Sequence, residues 1–184
     1  MSFAFLSTFP LWAGILIALV VCAAMEFTAY AVHRWIMHGP IGWGWHRSHH
    51  EPHDDLLEKN DLYAVYFAVL AVGLFWIGSQ YAVWVWWVGA GVSLYGLLYF
   101  AAHDGLVHQR WPFRYVPRKG YLQRLYQAHK LHHAVDGRDG CVSFGFLYSP
   151  PVRVLKDQLR EREADRADNA AYASERARER RVAL

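Results

Sequence analysis

From Leu62 through His103 the sequence has no Asp, Glu, Lys or Arg, and from Leu11 through Val32 the only one is Glu26. Runs of that length without charge exclude an ordinary water-soluble domain, whose surface carries charged side chains throughout. Cysteine is nearly missing as well. Cys22 lies inside an apolar run and Cys141 in the basic second half, so no disulfide is expected and nothing indicates a secreted scaffold. The opening MSFAFLSTFPLW lacks a positively charged stretch and a small-residue cleavage site, so the first apolar run reads as a retained span.

What is present is apolar: 54% of the 184 residues are hydrophobic, nine of them tryptophan, enough for a buried or lipid-embedded helical bundle. A hydrocarbon core of roughly 30 Å takes about 20 helical residues, which predicts spans at 11–32, 62–78 and 81–102. The only turn signal in the long uncharged block is GSQ at 78–80, where a helical hairpin is expected to reverse. Basic residues occur in two places: Arg34, Arg47 and Lys59 between the first two spans, and the remainder beyond His108. The positive-inside rule puts both regions in the cytoplasm and the amino terminus outside, which needs an odd number of spans. The expected fold is an all-α integral membrane protein with three transmembrane helices, or four, in the inner membrane. A histidine-rich di-metal helical cap is expected on its cytoplasmic face. Residues 1–155 would form the membrane domain and 156–184 a charged tail, helical or disordered, because its charges alternate without an apolar stripe.

Ten of the eleven histidines form one pattern written twice. His33 and His38 (H-x4-H) precede His46, His49 and His50 (H-x2-H-H); His103 and His108 (H-x4-H) precede His129, His132 and His133 (H-x2-H-H). The proposed topology brings both sets to one membrane face. Residues at i, i+3 and i+4 share a helix face and can turn imidazoles toward one centre. The H-x4-H pairs differ, because five helical positions turn through about 140°. Both rings then reach one metal only where the helix ends or distorts; otherwise they serve two metals, the preferred reading. Ten imidazoles exceed the coordination of one ion, and imidazole suits iron, copper, zinc and nickel better than calcium or magnesium. A single histidine at a membrane edge is ordinarily an interfacial anchor, but anchoring does not require the same spacing twice. His53, in EPHDD, is outside the pattern and is expected in a solvated loop.

Metal-bound imidazoles are oriented by polar partners, which makes Glu26, Asn60, Asp61 and Asp104 the candidates for that role. Glu26 stands seven residues before His33, about 20° from it around a helix. Its carboxylate inside a span is either functional or a hydrogen-bonded polar group of the bundle. Trp43, Trp45, Phe144 and Phe146 are candidates to shape a lipid-side substrate channel, although interfacial anchoring accounts for the tryptophans equally well. The basic aromatic run RWPFRYVPRKGYLQR, which in a soluble chain would suggest nucleic acid, is expected to contact anionic lipid or an acidic electron donor beside a membrane. No nucleic-acid partner is expected.

The stretches MHGPIGWGWHRSHHEPH, NDLYAV, YGLLYFAAHDGLVHQRWPFRYVPRKGYLQRLYQAHKLHHAV and GCVSFGFLY, spread over about residues 25 to 155, resemble the integral-membrane di-iron hydroxylases, most closely the bacterial β-carotene 3-hydroxylases. The Pro40-Ile41 linker between His38 and His46 makes that segment irregular and is expected to form a loop. The resemblance implies two non-haem iron ions held by the ten patterned histidines, dioxygen as co-substrate and a reduced ferredoxin-type electron donor. It also implies a carotenoid substrate drawn from the bilayer and hydroxylation of the β-ionone ring. Two readings compete with it. A hydroxylase for fatty-acyl or sterol substrates fits the histidine spacing equally, because spacing reports the metal and not the substrate. A metal transporter or haem-binding subunit requires ionisable residues or facing histidines within the spans, which the second and third spans lack.

Overall fold

The computed structural model describes residues 9–51, 55, 57–135 and 137–182. His53, expected in a solvated loop, lies outside the described residues. Every regular element among the described residues is helical: α1 (Leu11–Ala31), a π-helical segment π1 (Val32–Met37), α2 (Trp43–His50), α3 (Asp61–Gln80), α4 (Val83–Tyr99), a second π-helical segment π2 (Phe100–Val107), α5 (Gly120–His132) and α6 (Val152–Val182).

Among the described residues three helices are long and apolar enough to cross a membrane: Leu11–Met37, Asp61–Gln80 and Val83–Val107. Only 22%, 11% and 22% of their apolar windows are buried, so most of that surface faces outward, where it is stable only against hydrocarbon. The first and third spans run farther than expected because each α-helix continues through its π segment to the histidines.

α4 packs against both α1 and α3. Small residues set the closeness: a side-chain carbon on Gly91 would come within 2.6 Å of the Ala18 carbonyl oxygen, and one on Gly78 would overlap the Trp86 backbone. Gly78 therefore serves a helix contact and not a turn. The helical hairpin reverses at Tyr81 and Ala82, just past the GSQ signal.

A core of Met25, Ala29, Ala71, Val92, Tyr95 and Phe146 fills the bundle. A second core lies beneath the histidine-bearing end, where Leu155 and Leu159 of α6 pack on Ala128, Cys141, Val142 and Phe144. Arg162 of α6 donates to the Gly140 and Cys141 carbonyls and Arg166 to that of Asp139. The charged tail thus begins as a docked helix, and the boundary expected at residue 155 falls within it. From Glu163 through Arg176 the side chains are exposed.

Candidate metal centre

The two H-x4-H pairs are brought to one face by the π segments. A π turn closes its hydrogen bond five residues back instead of four, and the His38 and His108 amides donate to the carbonyls of His33 and His103 at 3.0 and 2.9 Å. The distortion the spacing required is present in both places, so each pair faces a single centre rather than dividing between two.

His33, His38, His46 and His132 bring their ligand nitrogens within 4.8 Å of one another, and His49, His103, His108 and His129 do the same. His50 adjoins the first group, its Nε2 3.3 Å from that of His46. His133 adjoins the second, 2.9 Å from His129. The rings of His50 and His133 stack 4.4 Å apart where the groups meet. Neither H-x2-H-H triplet therefore serves one centre alone. Its first and last histidines stay with their own half of the chain, while the middle one, His49 or His132, crosses to the other half's group.

Among the described residues six of these imidazoles donate through Nδ1. His33, His38 and His132 donate to the carbonyls of Phe144 (2.9 Å), Arg138 (2.8 Å) and Val142 (2.9 Å), and His46 to Asn60 Oδ1 (2.7 Å). His49 donates to Glu58 Oε1 (2.8 Å) and His103 to Asp104 Oδ1 (2.7 Å). Burial, reinforced by neighbouring imidazoles, holds His49, His129 and His132 well below the usual histidine pKa and brings His46 to about 3 and His133 to about 2. A neutral ring that donates through Nδ1 has only a lone pair at Nε2. Yet the Nε2 atoms of His33 and His46 are 3.2 Å apart, those of His38 and both His46 and His132 3.1 Å, and those of His49 and His103 3.0 Å. Lone pairs facing at these distances repel unless a cation lies between them. Two nitrogens each about 2.1 Å from one ion, at 90–109°, lie about 3.0–3.4 Å apart, so the donor set fits a metal.

The sequence-derived partners divide. Asn60 and Asp104 bond imidazoles directly. Asp61 bonds none of the ten clustered imidazoles among the described contacts; it forms a two-pronged pair with Arg110, both contacts 2.9 Å, and accepts from the Glu58 amide. Glu26 bonds no imidazole either. Its carboxylate accepts from the backbone amides of Phe146, Leu147 and Tyr148 and from the Tyr95 hydroxyl, and so ties the 144–148 loop to α1. Glu58 was missed. Its only sequence signal is its position two residues before Asn60, and the three carbonyl acceptors have no side-chain signature at all.

A cavity of about 480 Å³ lies among the three spans, lined by Ala29, Phe67, Val92 and Gly96, and ends at Tyr99, Asp104 and Phe146. Phe146 stacks on His33 (4.9 Å) and meets His103 edge-on (5.2 Å), and Tyr99 stacks on His103 (4.6 Å). The cavity also borders the outward-facing Val72 and Leu97, so it reaches the lipid-facing surface. Of the four aromatic channel candidates only Phe146 lines it. Phe144 packs on the rings of His33, His38 and His132, Trp43 on those of His38 and His50, and the half-exposed Trp45 on Tyr63.

Comparison with known proteins places this geometry. The fatty acid hydroxylase family matches residues 18–150. A β-carotene hydroxylase of Paracoccus sp. (strain N81106 / MBIC 01143) is 66% identical over 145 residues, 79% of this chain and 90% of that protein. One from Pantoea ananas is 59% identical over 159 residues, 86% of this chain and 90% of the relative. The chloroplastic β-carotene 3-hydroxylase 2 of Arabidopsis thaliana is 37% identical over 130 residues, 68% of this chain and 42% of the plant protein. No solved structure matches. Three apolar spans that deliver two groups of imidazoles to one end, and a family match over residues 18–150 that takes in every clustered histidine, make this chain a member of the fatty acid hydroxylase family.

Proposed function

We propose that this protein is a β-carotene 3-hydroxylase that acts on one β-ionone ring and then the other, giving the 3,3′-diol through a mono-hydroxy intermediate. The observation that carries the reading is the apolar cavity that ends against two groups of inward-turned, neutral imidazoles. The name shared by the relatives supports the carotenoid assignment. The ten patterned histidines would hold two non-haem irons, which when bound supply the activation of dioxygen for oxygen insertion at the ring.

The residues of the chain do the rest. The cavity takes an apolar ring from the bilayer and excludes water from it, and Phe146 and Tyr99 close its inner end beside His33 and His103. The Nδ1 acceptors of His33, His38, His46, His49, His103 and His132 keep the Nε2 of those six rings free of protons and aimed inward. The distribution of Lys and Arg supports an inner-membrane placement with the histidine end in the cytoplasm. A reduced ferredoxin-type protein would deliver electrons there.

The test is expression in cells that accumulate β-carotene, followed by pigment analysis under labelled dioxygen or labelled water. The mono-alcohol should appear before the diol, with label taken from dioxygen alone. Label from water, or hydroxylated acyl chains with carotene untouched, overturns the reading.

A further inference from the structure

We infer that the two metal centres are unequal, the second holding its ion more tightly, because carboxylates stand behind its histidines where neutral oxygens stand behind those of the first. The inference rests on the histidines being ligands, as proposed above.

All four histidines of the first group donate Nδ1–H to uncharged acceptors: three carbonyls and the Asn60 amide oxygen. In the second group His49 donates to Glu58 and His103 to Asp104. Arg110 lies 3.5 Å from Glu58, 2.9 Å from Asp61 and 3.8 Å from Asp104, so one guanidinium faces three carboxylates. The Glu58 side chain is only 3% exposed and that of Asp104 14%, so water screens little of that charge.

A carboxylate behind an imidazole makes its far nitrogen more electron-rich and draws a cation toward it, whereas a carbonyl does so weakly. The second centre therefore gains on two ligands an attraction that the first gains on none. Glu58 and Asp104 are positioning residues, acting through His49 and His103.

The experiment is release of iron from the purified, loaded protein to excess chelator, followed by iron content against time. Wild-type protein should release iron in two phases of equal amplitude. Replacing both carboxylates, Glu58→Gln with Asp104→Asn, keeps an oxygen acceptor for each imidazole and removes the charge. It should speed the slow phase about tenfold or more and leave the fast phase unchanged. Asn60→Asp provides the converse, placing an anion behind His46, and should slow the fast phase; it also serves if the double variant does not fold. A single phase in wild-type protein, or equal acceleration of both phases in the double variant, overturns the inference. Protein that binds no iron, or keeps all of it after His46→Ala and His49→Ala, refutes the ligand assignment itself.

Discussion

Glu26 is a carboxylate inside a span, where an unpaired charge is costly. It is stable there because three amides and a hydroxyl converge on it: Phe146, Leu147 and Tyr148 from the loop and Tyr95 from α4. The same loop supplies the Phe144 carbonyl that fixes His33 and the Phe146 ring that stacks on it. Glu26→Ala would strand those donors, at about 1–3 kcal/mol for each one left buried. A lower melting temperature in detergent and lower iron content should follow, with Glu26→Gln intermediate because its one carbonyl oxygen serves part of the set. Unchanged melting and iron content would show that the loop is held otherwise. The sequence singled out Glu26 through its isolation in an apolar run, but its partners are backbone amides about 120 residues away, which no spacing rule reveals. Acid tests the histidines in the same way. Burial holds His46 at about 3 and His50 at about 4, whereas the unfolded chain takes up protons near 6.5. The unfolded state therefore binds more protons below that value. Stability and iron retention should be full above pH 6.5 and fall steadily as the pH drops toward 4. A profile flat from pH 7 to 4 would contradict the neutral, buried assignment.

At the scale of the elements, the π segments join span to site. An α-helix puts residues five apart on different faces, and one wider turn brings His33 beside His38 and His103 beside His108. The spacing stated that requirement openly, since it demanded either a distortion or a division between metals; which of the two occurs depends on where the next helix packs. The spans themselves were legible because about 20 successive residues without charge suit hydrocarbon and little else, whereas their ends were not, because the π turns carry polar residues. α4 also shapes the cavity. A side-chain carbon on Gly96 would meet nothing within 4 Å, and this glycine lines the cavity. Gly96→Phe should accordingly project a ring into the cavity proposed to take the substrate. Carotene hydroxylation should fall at least tenfold while iron content and melting temperature stay near wild type, as pigment and metal analysis on one preparation would show. Full activity in that variant would move the substrate elsewhere.

For the whole molecule the governing feature is the exchange of His49 and His132 between the two halves. Their neighbours His46 and His129 remain at home, so adjacent turns of one helix feed different centres. His46→Ala and His49→Ala, three residues apart, should each lower iron from about two per chain toward one, and the double substitution should lower it toward none. Retention of one iron by the double variant would mean that the two histidines share a centre. The count of histidines and the end of the bundle where they gather were legible in the repeat. Their allocation was not, because i, i+3 and i+4 point to one face of a helix and only the meeting of the α2 and α5 rings decides which goes where.

That exchange has a consequence in time. A chain leaves the ribosome from its amino terminus, and the first three histidines of the first group emerge well before the third span, yet that group waits for His132. The acceptors behind it come later still: Val142 and Phe144 follow the last histidine, as do the amides that hold Glu26. An ion met by the growing chain finds only a partial and mobile set of ligands, from which it can depart. If the histidines hold metal as proposed, secure capture comes only after the membrane has received every span, and a chain released before residue 144 would lack the means to finish it.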